Sequence, residues 1–389
     1  MRLSPAASLL ALSMSLLPMT LLPGPALAAL AVAANDGKQL QPGESQTPTP
    51  DTVSILDMGA YPPKVLGHVP VPASMIGSPN AVAVDAKEKF AIVTASQKFD
   101  PADPTHPPAD DKVSVIDLAD PAHPKLLQTV SSGPTAGGVA MNKAQNLVLV
   151  AAKGDGSIHI FRLAGKKLTP AGRVHLGEGA QPVDVTFAPD GRKAYAVVQG
   201  LSKIIELTVQ GSTLTVSGEM VSGRNPYGAV FSRDGAFLFT TNLAGAPDGE
   251  DRTGTIGILD VKARKLVASV PVGRVPEHAT LSPDGKHLAV VLANGAANNK
   301  SDPNYDKVVG ILKVFAVGAG KLDQVAQADT CHWAQGAAWS DDGRLLLQQC
   351  AAEHQIQVYR FDGRALVQDK AAAIAFESRP GSLATGKTR

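Results

Sequence analysis

The residues best suited to chemistry in this chain occupy matching positions in a set of internal repeats. Each stands near the start of a repeat, and together they are Asn80, Gln181, Asp184, Asn225, Tyr227, Glu277, His278, His332, Trp333 and Arg379. Carboxylate, amide and imidazole groups at one common mouth could bind a sugar acid or a cation. The alternative is that these groups satisfy backbone hydrogen bonds, as most buried polar groups do.

The repeat itself begins with Gly-x-x-Pro, continues through a short apolar strand and ends at a Ser-Pro-Asp-Gly-type turn. Its starts recur at intervals of roughly 44 to 58 residues, which is typical of propeller blades. An Asp-Gly pair between apolar runs favours a tight hairpin, because glycine accepts the positive φ of such turns. The clearest copies are 273–285 and 179–191, with looser copies at 223–235 and 331–343, two more from Gly77 and Gly133, and a last start at Arg379-Pro380.

These repeats predict an all-β propeller of about seven four-stranded blades over residues 51–389. Residues 52–58 and 64–71 match the third and fourth strands of a blade, and residues 380–386 match a first strand. Pairing the two ends would close the ring and remove exposed sheet edges. No second strand is evident for this closing blade, which could therefore be three-stranded.

The N-terminal region predicts export. Arg2, an apolar run over residues 9–22 and the Ala26-Leu27-Ala28 motif indicate a signal peptide over residues 1–28, cleaved near Ala28. Residues 29–50 are Ala-rich and then polar with several prolines, a composition that predicts a disordered linker. We therefore expect a periplasmic or secreted protein with no membrane span in the mature chain.

Composition narrows the classes of partner. Lys and Arg number 36 against 35 Asp and Glu, and no basic run suggests nucleic acid. The two cysteines, Cys331 and Cys350, are expected to form a disulfide in an oxidising compartment. Serine-hydrolase elbows, His-Glu-x-x-His zinc sites and haem-attachment motifs are absent from the sequence.

The chain resembles the YVTN-repeat propellers and the related lactonase-like seven-bladed propellers, most clearly over Thr255–Val291. The resemblance implies that His278, in a Pro-x-His pattern, could act as general base on a lactone, with Arg379 steadying the oxyanion. The family pattern has Arg before this His, whereas Glu277 stands there in this chain. Fold alone does not fix function in such proteins.

Two functions are therefore carried forward, and we expect a monomer in both. The first is a non-enzymatic binding scaffold for a small ligand or a periplasmic protein, with Asn80, Asp184, Asn225, Tyr227, Glu277 and His332 as ligand-binding residues. The alternative is a lactonase-type hydrolase that uses His278 and Arg379. A third interpretation is a metal-dependent gluconolactonase-like site at Asp184 and Glu277.

Long loops place the expected site on one face of the ring. The loops at 97–111, 243–254 and 295–307 join second to third strands and are rich in Asp, Asn, Pro or Gly. Asp302, Asn304 and Asp306 have the spacing that starts a calcium loop, but Lys307 replaces the required glycine. We expect no cofactor, with calcium or another divalent cation as the alternative.

Overall fold

The protein is a closed ring of β-sheets in a computed structural model that describes residues 1, 29–41, 47–103, 106–243 and 253–386. These residues form seven four-stranded antiparallel sheets. The predicted seven-bladed propeller is confirmed. The predicted signal peptide, apart from Met1, lies outside the described residues.

Blade 7 combines the two ends of the chain, whereas blades 1 to 6 are each contiguous in sequence. Blade 7 consists of β1 (Leu30–Asp36), β2 (Thr52–Asp57) and β3 (Lys64–Pro70) with the last strand, β28 (Arg379–Thr385), on the inside. From the axis outward, blade 1 consists of β4 (Val82–Val84), β5 (Phe90–Gln97), β6 (Ala109–Asp117) and β7 (Lys125–Ser131). Blade 2 consists of β8 (Ala136–Met141), β9 (Leu147–Ala152), β10 (Ser157–Ala164) and β11 (Lys167–His175). Blade 3 consists of β12 (Pro182–Phe187), β13 (Lys193–Val198), β14 (Lys203–Gln210) and β15 (Thr213–Val221).

Blades 4 to 6 follow the same order from the axis outward. Blade 4 consists of β16 (Pro226–Phe231), β17 (Phe237–Asn242), β18 (Thr253–Asp260) and β19 (Lys265–Arg274). Blade 5 consists of β20 (Pro276–Leu281), β21 (His287–Leu292), β22 (Ile311–Gly318) and β23 (Lys321–Asp329). Blade 6 consists of β24 (Ala334–Trp339), β25 (Leu345–Cys350), β26 (Gln355–Phe361) and β27 (Leu366–Ala375). Short 3₁₀ helices occur at Lys153–Asp155, Gln199–Leu201 and Tyr305–Lys307.

The Asp-Gly turns set the register of the inner hairpins. In blade 5 the Ser282 hydroxyl donates to Asp284 at 2.6 Å and accepts the His287 N–H at 2.9 Å. Gly285 takes a left-handed φ of 75°, which favours glycine. Blades 4 and 6 repeat this arrangement from Ser232 and Ser340.

Apolar packing joins each blade to the next. The described residues contain seven buried apolar clusters, and each lies between two consecutive blades. The inner two strands are nearly all buried, while outer strands such as β11 alternate between exposed and buried positions. The ring is therefore stabilised by sheet-on-sheet burial around its whole circumference.

The prediction of a disordered linker over residues 29–50 is wrong for its first part. Leu30–Asp36 is a fully buried strand that pairs with β2 on one side and β28 on the other. It is the second strand that the sequence did not reveal, so the closing blade has four strands rather than three. Alanine and valine predominate in it, and these small residues fit between two neighbouring strands and two packed blades.

Two faces of the ring can be distinguished. The turn face carries the Asp-Gly turns and the links between third and fourth strands. The loop face carries the blade-to-blade links and the loops between second and third strands. Of the three predicted long loops, those between β5 and β6 and between β21 and β22 lie on the loop face, and most of 243–254 lies outside the described residues.

The structure adds a fourth long loop to this face, because the segment between β1 and β2 also joins a second strand to a third. Among the described residues, no helix has the length and apolar character needed to cross a membrane.

Candidate functional site

At the loop face, a backbone conformation that recurs from blade to blade directs side chains into the central channel. The residue just before the inner strand has a left-handed φ in five blades, at Thr135, Gln181, Asn225, Val275 and Trp333. A register shift follows at once, so that Val183, Tyr227 and Glu277 are passed over in the pairing with the second strand. Such bulges turn a side chain away from the regular pleat.

Three of the predicted site residues form one hydrogen-bonded chain across the channel. The Asn80 amide donates from Nδ2 to Asp184 Oδ2 at 2.7 Å, and its Oδ1 lies 3.1 Å from His278 Nε2. Asp184 Oδ2 also accepts the Ala229 N–H at 3.1 Å. The chain therefore joins blades 3, 4 and 5 to the segment that leads into blade 1.

The hydrogen bonds of His278 define which of its two ring nitrogens carries the proton. The Ala337 N–H of blade 6 donates to His278 Nδ1 at 3.1 Å. Since Nδ1 accepts this hydrogen bond, the ring carries its proton on Nε2, which donates to Asn80 Oδ1. With Nδ1 engaged in this way, His278 supports the ring, and its role as general base stays a prediction.

The space beneath this chain is too small for a substrate. A cavity of about 10 Å³, bordered by Asn80, His278 and Ala337, continues along the axis. That volume holds about one water molecule. A larger ligand that enters the channel from the loop face must therefore remain on the loop-face side of the His278–Asn80–Asp184 chain.

Glu277 lies on that side, one residue nearer the loop face than His278. Desolvation raises the pKa of its carboxyl to about 7. No hydrogen bond or ion pair to this carboxylate occurs within the part of the chain that the structure describes. Glu277 is therefore a carboxyl group that gains or loses a proton near neutral pH, which is the property of a general acid or base.

Tyr227 stands beside Glu277 on the inner strand of blade 4. Its hydroxyl reaches across the channel and donates to the Gly77 carbonyl at 2.6 Å. Burial, followed by the charges of Glu277 and Asp184, raises the pKa of Tyr227 well above its usual value. Tyr227 therefore remains a neutral hydrogen-bond donor that borders the Glu277 carboxyl.

Arg379 is placed to stabilise the closing blade. Its side chain is 1% exposed and donates from Nε to the Gln39 carbonyl at 3.0 Å and from Nη1 to the Ala351 carbonyl at 2.9 Å. Its guanidinium also stacks 5.8 Å from the centre of the Trp333 ring. These contacts fasten blade 7 to blade 6, and the oxyanion role of Arg379 stays a prediction.

His332 fastens a loop of the loop face to blade 6. Its Nδ1 contacts Glu353 Oε1 at 2.5 Å, its Nε2 contacts the Tyr305 carbonyl at 2.6 Å, and its ring stacks on Tyr305 at 3.6 Å. Cys331 and Cys350 form a disulfide beside it. Asn225 has a left-handed φ of 54°, and its backbone N–H donates to Ser202 Oγ at 3.3 Å.

Metal-binding geometry is sparse among the described residues. The one group of at least three His, Cys, Asp or Glu residues close enough to share an ion there is Cys331, Cys350 and Glu353, and its two sulfurs are joined in the disulfide. Asp184 and Glu277 are not part of such a group. In the loop at Asp302, the carboxylate accepts the Asn304 N–H at 2.7 Å.

Sequence reasoning missed the backbone groups that complete the site. The Ala229 and Ala337 N–H groups and the Gly77 carbonyl bind Asp184, His278 and Tyr227. Backbone groups carry no sequence signal of their own, since every residue other than proline has both. A Cβ at Gly138 would lie 2.2 Å from Asp184 Oδ1, which explains the glycine at that position.

We expect Asn80→Ala to destabilise the ring by about 2–6 kcal/mol, because Asp184 and His278 each lose one buried hydrogen bond, at about 1–3 kcal/mol each. Urea unfolding followed by fluorescence measures the change. Asn304→Ala, in an exposed loop, is the matched control and should shift the midpoint little. Equal stability of the two variants would show that the chain across the channel does not support the ring.

Comparison with known proteins agrees with this architecture. Residues 111–302, just under half of the chain, match the family described as lactonase, seven-bladed β-propeller. This part of the chain is similar to that family, and the ring as a whole is a seven-bladed β-propeller.

Individual relatives share the fold at low sequence identity. A candidate 6-phosphogluconolactonase from Bacteroides fragilis superposes with a TM-score of 0.70 at 18% identity, covering 93% of this chain and 99% of the other. The periplasmic gluconolactonase of Pseudomonas aeruginosa gives a TM-score of 0.63 at 14% identity, with 92% and 98% covered. Antigen Lp49 of Leptospira interrogans is 32% identical over 109 residues, which span 28% of this chain and only 23% of that protein.

Proposed function

We propose that this protein is a lactonase-type hydrolase that opens a sugar lactone or related cyclic ester at the loop-face mouth of its channel. The observation that carries the proposal is Glu277, a desolvated carboxyl with a pKa raised to about 7 and no protein partner among the described residues. The lactonase family match and the gluconolactonase named among the structural neighbours support this reading over a non-enzymatic scaffold.

The chemistry assigned to Glu277 is general-base catalysis. The carboxylate removes a proton from a water molecule as the water oxygen attacks the lactone carbonyl carbon. The ring C–O bond then breaks, and the proton passes to the departing alkoxide, which gives a hydroxy acid. No metal ion is needed for this balance of atoms and charges.

The role of Glu277 as a base predicts the pH dependence. A base is active when deprotonated, so kcat/KM should rise with pH through about 7 and then level off. Below that value it should fall about tenfold per pH unit. Proton release from several sugar lactones, with spontaneous hydrolysis subtracted, measures the profile.

The same assay separates the remaining alternatives. Turnover that disappears with a chelator and returns with calcium would favour the metal-dependent reading at Asp184 and Glu277. Activity that is lost below about pH 4 rather than 7 would exclude the desolvated Glu277 as base. A flat trace with every lactone would reject the hydrolase and leave the binding scaffold.

We further propose that the protein is exported and cleaved after Ala28. The Ala-x-Ala motif supports this, as does the position of β1, which begins at Leu30, two residues beyond the expected cleavage point. N-terminal sequencing of protein recovered from the periplasm should begin at Ala29.

A further inference from the structure

A second cavity opens on the turn face, opposite the proposed catalytic mouth. It has a volume of about 440 Å³, lies between blades 3 and 4 and is bordered by Lys193, Tyr195, Lys262, Arg264, Asp190 and Asp234. Pockets for small ligands usually measure about 300–1,000 Å³. The cavity is thus large enough for a metabolite, unlike the space along the axis.

The repeat shows that the chemistry of this cavity is unusual within the molecule. In the register shared by the inner hairpins, Tyr195 pairs with Glu206 in blade 3. The corresponding third-strand residue is branched and apolar in the five other contiguous blades: Val115, Ile160, Ile258, Val314 and Val358. Blade 3 alone among these places a carboxylate there.

Lys193, which begins β13, departs from the repeat in the same way. The residues that begin the second strand of the other contiguous blades are Phe90, Leu147, Phe237, His287 and Leu345. The apolar cluster between blades 3 and 4 is also the smallest of the seven, with nine buried residues against eleven to fifteen elsewhere. Polar groups and open space replace apolar packing at this one interface.

The buried carboxylate of Glu206 organises the cations around it. Its side chain is fully buried, and Oε1 lies 2.9 Å from Lys193 Nζ and 2.6 Å from Arg264 Nη2. The hydroxyls of Ser217 and Tyr195 donate to it at 2.9 and 3.0 Å. Burial alone would raise the pKa of Glu206, but these hydrogen bonds, led by Arg264 and Lys193, lower it to about 2.

Stability does not account for this arrangement. A buried ion pair costs desolvation energy, and replacing it with apolar residues of similar volume is often neutral or stabilising. Every neighbouring blade shows that apolar residues fit this position. A stabilising role therefore does not explain Glu206, Lys193 and Arg264, and these residues lie at the open cavity.

The cavity is bordered both by positively charged hydrogen-bond donors and by carboxylate acceptors. Arg264 and Lys193 each use only part of their N–H groups on Glu206, and Lys262 has no ion pair among the described residues. The carboxylates of Asp190 and Asp234 accept hydrogen bonds within their own turns, from the Arg192 N–H at 2.9 Å and the Ala236 N–H at 3.0 Å. Each carboxylate has further lone pairs that could accept a ligand hydroxyl.

We propose that this cavity binds a small hydroxylated anion, with its carboxylate or phosphate group at Lys193, Lys262 and Arg264 and its hydroxyl groups at Asp190 and Asp234. The proposal is independent of the hydrolase activity, because the two sites lie on opposite faces of the ring. A carboxylate and a phosphate would use the same donors, so both are tested as probes.

Isothermal titration calorimetry with gluconate, glucose 6-phosphate and acetate, at low ionic strength and without lactone, tests the proposal. We expect one of the first two to bind with a Kd below 1 mM, an estimate based on two or three charge-assisted hydrogen bonds. Acetate, which lacks hydroxyl groups, should bind at least tenfold more weakly. Which of the two probes binds identifies the anionic group.

Two variants locate the binding. Lys262→Gln removes an exposed cation and should weaken binding about tenfold, whereas Lys286→Gln, which is exposed on the same face outside the cavity, should not. The triple variant Lys193→Phe, Tyr195→Phe and Glu206→Ile copies blade 4 and should replace the polar side of the cavity with apolar side chains. We expect it to abolish binding while its unfolding midpoint stays at or above that of the wild type.

Three outcomes would overturn the proposal. These are a Kd above 1 mM for both hydroxylated probes, equal affinity in Lys262→Gln and Lys286→Gln, or full binding by the folded triple variant. Lactone hydrolysis should be unchanged in all three variants, so failure here would leave the proposed function standing.

Discussion

A Glu277→Gln variant is expected to fold as the wild-type protein does and to hydrolyse lactones about 10²–10⁴-fold more slowly. Glutamine keeps the shape of the side chain but cannot take a proton from water. Because the wild-type carboxyl is desolvated, with a pKa raised to about 7, the neutral amide should be tolerated at this position. Initial rates of proton release at pH 8 measure kcat/KM for both proteins.

The control is Glu219→Gln, which changes an exposed carboxylate on the outer strand of blade 3. It should retain full activity. A Glu277→Gln protein with wild-type activity would remove Glu277 as the base. Loss of activity in His278→Ala without a matching loss of stability would transfer that role to His278.

A chain that begins at residue 38 is expected not to form the closed ring. It lacks β1, whose seven residues are all buried and pair with a strand on each side. Full burial of Leu30 and Val32 alone accounts for about 3–6 kcal/mol, and the strands on both sides also lose their backbone partners. The loss is therefore of the same size as the net stability of most domains, about 5–15 kcal/mol.

Size-exclusion chromatography and thermal unfolding compare this truncation with a chain that begins at residue 29. The longer chain should be compact and show one cooperative transition. The shorter one should be expanded, aggregated or lacking in a transition. Equal melting of the two chains would mean that β1 is dispensable for closure.

The sequence predicted the ring because its turns carry local chemistry. Ser282-Pro283-Asp284-Gly285 and its copies specify hairpins through hydrogen bonds within four or five residues, and such signals are visible without a structure. The strand Leu30–Asp36 was missed because its pairing partners are distant in sequence and its composition resembles a linker. Long-range pairing overrides local composition there.

The sequence indicates which side chains meet at the channel better than it indicates what each side chain does there. Asn80, Asp184 and His278 were expected at one mouth, and the structure joins them by hydrogen bonds. The division between supporting residues and a solvent-side carboxyl depends on bulges and on backbone donors from other blades. The polar cavity at Glu206 escaped notice because its charges come from two blades, and no motif connects Glu206 with Arg264.

The source of the innermost strand of blade 7 has a consequence for how the protein matures. Six blades can each be assembled from a continuous stretch of chain, but the seventh needs β28 to pair with β1 and to pack between β24 and β4. Pairing β28 with β1 closes a loop that contains the six other blades. Closing so long a loop adds to the entropic barrier and slows folding. We therefore expect an open, crescent-shaped intermediate to persist until β28 has been synthesised, with β1 exposed along one edge and vulnerable to proteases and to pairing with another copy of the chain.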